Sequence, residues 1–447
     1  MTYLVFSFDV EDYINPNAAD GILWSAELLR KAGIRGCFNI VARLAEALVE
    51  WGREDVIKAL RHHEIDLHSL AHSYHPTINE YTDLADYEAA RAEFLRQECE
   101  AREIIYRIFG VDRFPAACPP GSSVSYVAHY GYAEMGIPIY TGDLLVDPVH
   151  GRPIYNCNVT SLDYHIYLEK FLLQNDRAAI DAHLEKIANS METYVMAHHP
   201  QMAIIDRFCD LINFNGENVP KEQWKLSHVR TAEETARFYA NFEYLVEKVK
   251  SDSRFRIVTY EELAQIYCMG EREITRETLP TLRAQLEEDF FPTTLPDSYC
   301  ISDMFYACRD LLLGQGGHKC GNVYGFLENP SVITAPLTVT AEEIRASAEG
   351  IGDGFLPTEI TVGEQVIGPA DWLRAAMAVL CGEERVTLTP APWQIDMDQF
   401  PAIRDMKLSD GWIHRADFRD EHLSRRARLQ SWTFRLPKNT DRKIFLA

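Results

Sequence analysis

The chain has 447 residues, 47% hydrophobic and 25% charged, an ordinary globular composition that excludes a fibre or a fully disordered chain. Its length suggests two or three domains, each with apolar material for its own core. Against 44 Lys and Arg stand 67 Asp and Glu, and the formal charge of −23 repels phosphate backbones and anionic bilayers, so nucleic acid is not an expected partner. No apolar run approaches the ~20 residues of a membrane span. The opening residues Met1 to Phe8 lack a basic stretch and run at once into Asp9, Glu11 and Asp12, unlike a signal peptide. Ten scattered cysteines with no Cys-x-x-Cys pair read as small buried hydrophobes in a reducing compartment, and a cytoplasmic protein is expected.

In chain order, Leu4 to Phe8 reads as a buried strand, and Gly21 to Ala32 as a helix stopped by Gly33. A second strand, Cys37 to Val41, precedes a helix running through Ala47 and Trp51, and Ile65 to Leu67 is a third strand. A long charged helix from Ala85 to Phe109 follows, then strands at Ile137 to Tyr140 and Tyr194 to Ala197. An amphipathic helix from Ala232 to Val249 leads into a strand at Phe255 to Val258. Repeated β-α units favour a parallel sheet or closed barrel with helices outside. The texture turns charged and linker-like around 271–290. Beyond it, Asp303 to Gly314 aligns without gaps on Asp371 to Gly382, two short amphipathic helices each ending at Gly. Leu-Pro precedes each, so a two-fold internal repeat sharing one core is expected.

Three motifs in the first domain carry chemistry. Phe8-Asp9-Val10-Glu11-Asp12-Tyr13 closes the first strand, where a parallel barrel gathers its catalytic groups; an acidic turn capping a helix is the plain alternative. In His63-Glu64-Ile65-Asp66-Leu67-His68-Ser69-Leu70-Ala71-His72, His68 and His72 stand four apart and on a helical turn would face one metal ion. Two His and one carboxylate leave positions open for water and substrate, although a lone His-x-x-x-His also arises by chance. Met196-Ala197-His198-His199-Pro200 ends a late strand, where a histidine could protonate a leaving group or simply be a satisfied core residue.

Taken together and in this order, the motifs resemble the polysaccharide deacetylase family with its NodB homology domain, a carbohydrate esterase type, over roughly residues 3 to 268. The resemblance extends to Cys37 to Val41 as second strand and to Arg256-Ile257-Val258-Thr259-Tyr260-Glu261-Glu262-Leu263 as closing strand and helix. It implies an irregular (β/α)7, TIM-like barrel over 1–270; the change of texture and the repeat then mark a linker at 271–290 and a smaller, mainly helical domain at 291–447. It also implies Asp9 as general base, Glu11 (with Asp12 as alternate), His68 and His72 as ligands of one divalent ion, most simply Zn²⁺, and His199 (with His198 second) as general acid. The implied reaction is hydrolysis of a carbon–nitrogen amide bond, on an N-acetylated sugar or a related small molecule. One departure stands out. The family's third motif brings an Arg that orients the base, whereas Phe114-Pro115-Ala116-Ala117-Cys118-Pro119-Pro120-Gly121 has none, and Arg113 is out of register. Asp143 is a further acid near the site. The missing Arg keeps open a second reading, a deacetylase-like protein that has lost catalysis and binds a glycan or a protein. The C-terminal domain faintly resembles pseudomurein-binding repeats, which implies glycan binding; packing or homo-oligomerisation is the plainer role.

Overall fold

The computed structural model describes residues 1–142, 145, 147, 150–165, 169–174, 176–408 and 413–437. Its chain divides into two compact units: 1–153, 159–267 and 407–423 form the first, and 154–158, 268–406 and 424–447 the second.

The first unit is built on a parallel sheet. Its strands are β1 (Thr2–Val10), β2 (Cys37–Ile40), β3 (Glu64–Leu67), β4 (Ala116–Ala117), β5 (Ile139–Thr141), β6 (Val159–Leu162), β7 (Thr193–His198) and β8 (Phe255–Ile257). Seven of them lie side by side in the order β6-β5-β4-β3-β2-β1-β7, and β8 pairs with the first residues of β1. Just past β6, His165 makes a parallel bridge to Met196 of β7, so the curled sheet brings its two ends together. This is the curled parallel sheet that the alternating elements favour, and the α/β, TIM-like barrel that the resemblance implies. Val5, Cys37, Ala116, Ile139, Leu162 and Val195, from six strands, fill the interior together with Val258, Tyr260 and Leu263. Two strands were not read from the sequence: β4, whose two residues are too few for a periodic signal, and β6, whose Val-Thr-Ser-Leu is only half apolar.

Register decides what faces inward. Ser7, Cys37 and Glu64 pair across β1, β2 and β3, and Asp9, Asn39 and Asp66 pair two residues on, so both polar rows share the interior face. Phe8, Phe38 and Ile65 lie between those rows on the opposite face. Helices pack outside. Tyr87–Phe109 begins on the Asp86 carboxylate, which accepts from the Glu88 and Ala89 amides, and ends at Gly110 in the left-handed region with φ 74°. Ala232–Ser251 begins with a Thr231/Glu234 capping box.

The second unit has helices Leu279–Glu288, Ile301–Leu312, Ala341–Ala348 and Pro369–Leu380, with three two-stranded ribbons between them. Residues 271–290, linker-like in sequence, carry a short strand and the first of these helices. The two segments that align in sequence are both helical, and each has an Asp at its third position. Asp303 is fully buried and makes a two-pronged ion pair with Arg435, both bonds 2.7 Å. Asp371 accepts instead from the Ile333 amide at 3.1 Å. Phe305 and Trp372, one from each helix, meet with ring centroids 4.8 Å apart.

Candidate active site

The inward row at the C-terminal ends of the strands places Asp9 beside Asn39, whose amide donates to Asp9 Oδ1 at 2.8 Å and to Ser7 Oγ at 2.9 Å. The Tyr164 hydroxyl, three residues past Ser161 of β6, donates to Asp9 Oδ2. The Cys118 thiol also reaches this point: ligand-type atoms of Asp9, His68 and Cys118 lie within 4.8 Å of one another. Among the described residues, the ion-pair partners of Asp9 are the imidazoles of His68 (3.9 Å) and His199 (3.7 Å), with neither Arg nor Lys. Arg113 is 71% exposed and pairs with Glu261 instead, as its register implied.

Glu11, two residues beyond Asp9, is buried and approached by two imidazoles. His68 Nε2 is 3.3 Å and His72 Nε2 is 3.0 Å from Glu11 Oε2. The other nitrogen of each ring is already engaged, His68 Nδ1 with the Cys118 carbonyl and His72 Nδ1 with Asp210, whose Oδ2 also accepts from Ser73 Oγ at 2.8 Å. The expected helical turn between the two histidines is absent. Ser69 (φ 68°) and His72 (φ 54°) both adopt left-handed backbone, and the His72 amide donates to Ser69 Oγ at 3.1 Å. That tight turn, rather than helical periodicity, brings the ring centroids to 5.1 Å. Non-glycine residues held at positive φ cost of order 1 kcal/mol each, a strain that concentrates at functional sites.

Strand alternation separates the two late histidines. His198 pairs in register with outward-facing Phe8 and lies between Phe238 and Phe242, stacked on the latter at 5.0 Å; burial drives its pKa down to about 4. His199, the next residue, turns toward the site. Its Nδ1 binds Glu169 Oε1 at 2.7 Å, its backbone amide donates to the same oxygen, and Nε2 lies 4.0 Å from Glu11. Asp12 points elsewhere, its Oδ1 accepting from the Ile14 and Asn15 amides at 2.9 Å each. Asp143 lies outside the described residues.

The electrostatics follow from burial opposed by close charges. Burial alone would raise the Glu11 carboxyl, but the charges of His72 and His199, with hydrogen bonds from His68 and His72, hold it well below its usual range. Burial lowers His199, yet Glu169 and then Glu11 outweigh it and lift the imidazole to about 10. Asp12 moves the other way, to about 6, through burial reinforced by Asp210. Cys118 is pushed well up by burial and by neighbouring Asp9, so it sits there as a neutral thiol.

Glu11, His68 and His72 present one carboxylate oxygen and two imidazole nitrogens within 4.8 Å of one another, all buried. With each outer ring nitrogen fixed by a carbonyl or carboxylate, this is the support that metal-ligating histidines receive, and the set suits a divalent ion. Asp9 and His199 adjoin this set and each other: His199 Nε2 is 3.7 Å from Asp9 Oδ2, and Asp9, Glu11 and His199 form a second convergent group. Asn39, Cys118, Tyr164, Glu169 and Asp210 were not legible as site residues. Only Asn39, a polar residue inside an otherwise apolar strand, carried a signal.

No family model matches the sequence, and no curated protein matches it. Solved structures do. A Mycobacterium smegmatis protein assigned as a polysaccharide deacetylase is 14% identical, with 59% of this chain and 89% of that one covered at a TM-score of 0.38. A 4-alpha-glucanotransferase from Thermococcus litoralis is 12% identical over 59% of this chain and 40% of its own, at 0.40. Peptidoglycan deacetylase PdaC from Bacillus subtilis is 17% identical over 64% and 96%, at 0.32. Polysaccharide and peptidoglycan deacetylases are thus among the solved structures that this chain is similar to.

Proposed function

We propose that the first unit is a metal-dependent amide hydrolase that deacetylates an N-acetylated sugar or a related small amide. The observation that carries this reading is the convergence of Glu11, His68 and His72 beside the neighbouring Asp9 and His199. Glu11, His68 and His72 would hold the ion, and zinc fits two imidazoles and one carboxylate. When bound, a divalent ion supplies Lewis acidity toward the amide carbonyl and acidifies water.

The residues of the chain supply the proton transfers. Asp9, fixed by Asn39 and Tyr164, accepts the proton of the attacking water. His199, kept protonated by Glu169 across the neutral range, donates to the departing amine nitrogen. The two groups lie 3.7 Å apart, and with water as the nucleophile no covalent enzyme intermediate is needed. Asn39 Nδ2, Tyr164 Oη and the neutral Cys118 thiol surround Asp9 where the resembled family uses a guanidinium. That substitution supports the second reading, an inactive glycan- or protein-binding relative.

The test is acetate release from N-acetylglucosamine oligomers and small N-acetyl amides, by protein supplied in turn with zinc, cobalt, nickel and manganese. Turnover that disappears in Asp9→Asn while the ion stays bound supports the hydrolase. A chain that holds the ion yet hydrolyses none of these amides supports the second reading instead.

A further inference from the structure

The His68–His72 turn has another side. Leu70 and Ala71, between the two histidines, form part of the wall of a cavity of about 610 Å³ that includes none of the candidate catalytic residues. This volume lies within the usual range of small-ligand sites. We propose that the cavity is a second saccharide-binding site, separate from the catalytic cleft and specific for uncharged pyranose oligomers. The ligand class shares with the proposed function only the expectation of a glycan, and it is argued here from the cavity itself.

Aromatic rings make one wall. Tyr13 and Trp224 lie with centroids 5.9 Å apart, and Tyr74, 42% exposed, is propped edge-on against Phe214 at 5.2 Å. Phe214 also backs Tyr13 at 6.2 Å and Trp224 at 5.6 Å, so these rings are held by a shared buried partner. The Trp224 indole N–H is already committed to the Val219 carbonyl at 2.8 Å, which fixes the ring plane. Rigid, partly exposed aromatic faces suit the apolar C–H faces of a pyranose, burying area at little cost in side-chain entropy.

The remaining lining selects against anions. Its three cations each already face a lining carboxylate: Arg43 with Glu46 at 2.7 Å, Arg96 with Glu93 at 2.7 Å and Lys221 with Glu50 at 3.5 Å. An anionic ligand would have to displace one of these pairs against a surplus of carboxylates, whereas hydroxyl groups can donate to the carboxylates and accept from the guanidinium N–H groups with the pairs intact. Glu100 also faces Arg43, at 3.1 Å, so a polar wall whose cations are all paired stands beside the aromatic faces and is matched to a polyol ring. The cavity also touches the catalytic turn, because the Tyr13 hydroxyl donates to the Ala71 carbonyl at 3.0 Å.

The experiment is titration of the full chain with tri-N-acetylchitotriose and with xylotriose, by calorimetry and by ligand-observed NMR. Saturable binding of either sugar is expected, weakened about tenfold or more in Tyr74→Ala and in Trp224→Ala, as loss of an aromatic anchor does. The same binding is expected to persist in His199→Ala, which alters the catalytic cleft alone, so failure of the hydrolase reading leaves this result standing. Tyr74 is surface-exposed, so its variant folds even if Trp224→Ala does not; near-ultraviolet circular dichroism checks both. No saturable binding of either trisaccharide would overturn the proposal. So would binding that is lost in His199→Ala and unchanged in Tyr74→Ala.

Discussion

Glu98 offers a sharp test of the physics beneath the catalytic turn. It lies on the inner face of the Tyr87–Phe109 helix, 1% exposed, with the Tyr132 hydroxyl 3.3 Å away. Burial dominates and lifts its carboxyl from 4.5 to about 8, against hydrogen bonds from Tyr132, the Leu70 amide and Tyr81 that pull downward. The folded protein therefore keeps Glu98 protonated at neutral pH, while the unfolded chain ionises it. A folded pKa raised above the unfolded one gives stability that is whole below 4.5 and is lost as pH rises through about 8. In Glu98→Gln this dependence vanishes. Relative to the parent, the variant should gain about 1.4 kcal/mol per pH unit across that window, reaching about 3 kcal/mol near neutrality. Any unmet hydrogen bond of the new amide adds a constant offset, so the slope is the signal. Urea unfolding followed by fluorescence at several pH values measures it. A stability difference that is flat from 4.5 to 8 would refute the assignment of a neutral buried carboxyl.

Other expectations concern the candidate site directly. Glu11→Gln, His68→Ala and His72→Ala should each lose about one equivalent of zinc in elemental analysis, whereas Asp12→Asn should retain it, since Asp12 serves backbone amides. Asp210→Asn, which loosens His72 without removing a ligand, should weaken zinc binding about 10–100-fold in a competition titration with a chromophoric chelator. His199→Ala should lower kcat by about 10²–10⁴-fold with folding intact. His198→Leu should leave kcat within about threefold, because that ring packs among Phe8, Phe238 and Phe242.

The barrel was legible because its strands and helices carry strong, separate periods, and because Gly33 and Gly110 stop helices where the pattern ends. The catalytic candidates were legible as residue types in order along the chain. What links them was not. His72 meets Asp210 across 138 residues, and Tyr164 meets Asp9 across 155, pairings set by the closing of the sheet and carried by no local spacing. The helical reading of His-x-x-x-His failed for a related reason: backbone at positive φ in Ser69 and His72 leaves no trace in residue type, since neither is Gly or Asn. The order of His199 before His198 came from the resemblance, through the following Pro200; the register of β7 on β1, which sequence does not carry, is what separates their environments.

The division of the chain has a consequence for synthesis. Residues 407–423 belong to the first unit although the whole of 268–406 precedes them. Within that unit, Asp83 accepts from the amides of Glu421, His422 and Leu423 at 2.7–3.1 Å, Asn79 meets His414 at 3.0 Å, and the Ile413 side chain fills the space over Gly121. A ribosome making this protein must therefore translate past residue 423 before the barrel unit can be completed. A fragment cut at residue 270 would leave Asp83 and Asn79 without these partners, so the barrel and its late segment are expected to be expressed together or not at all.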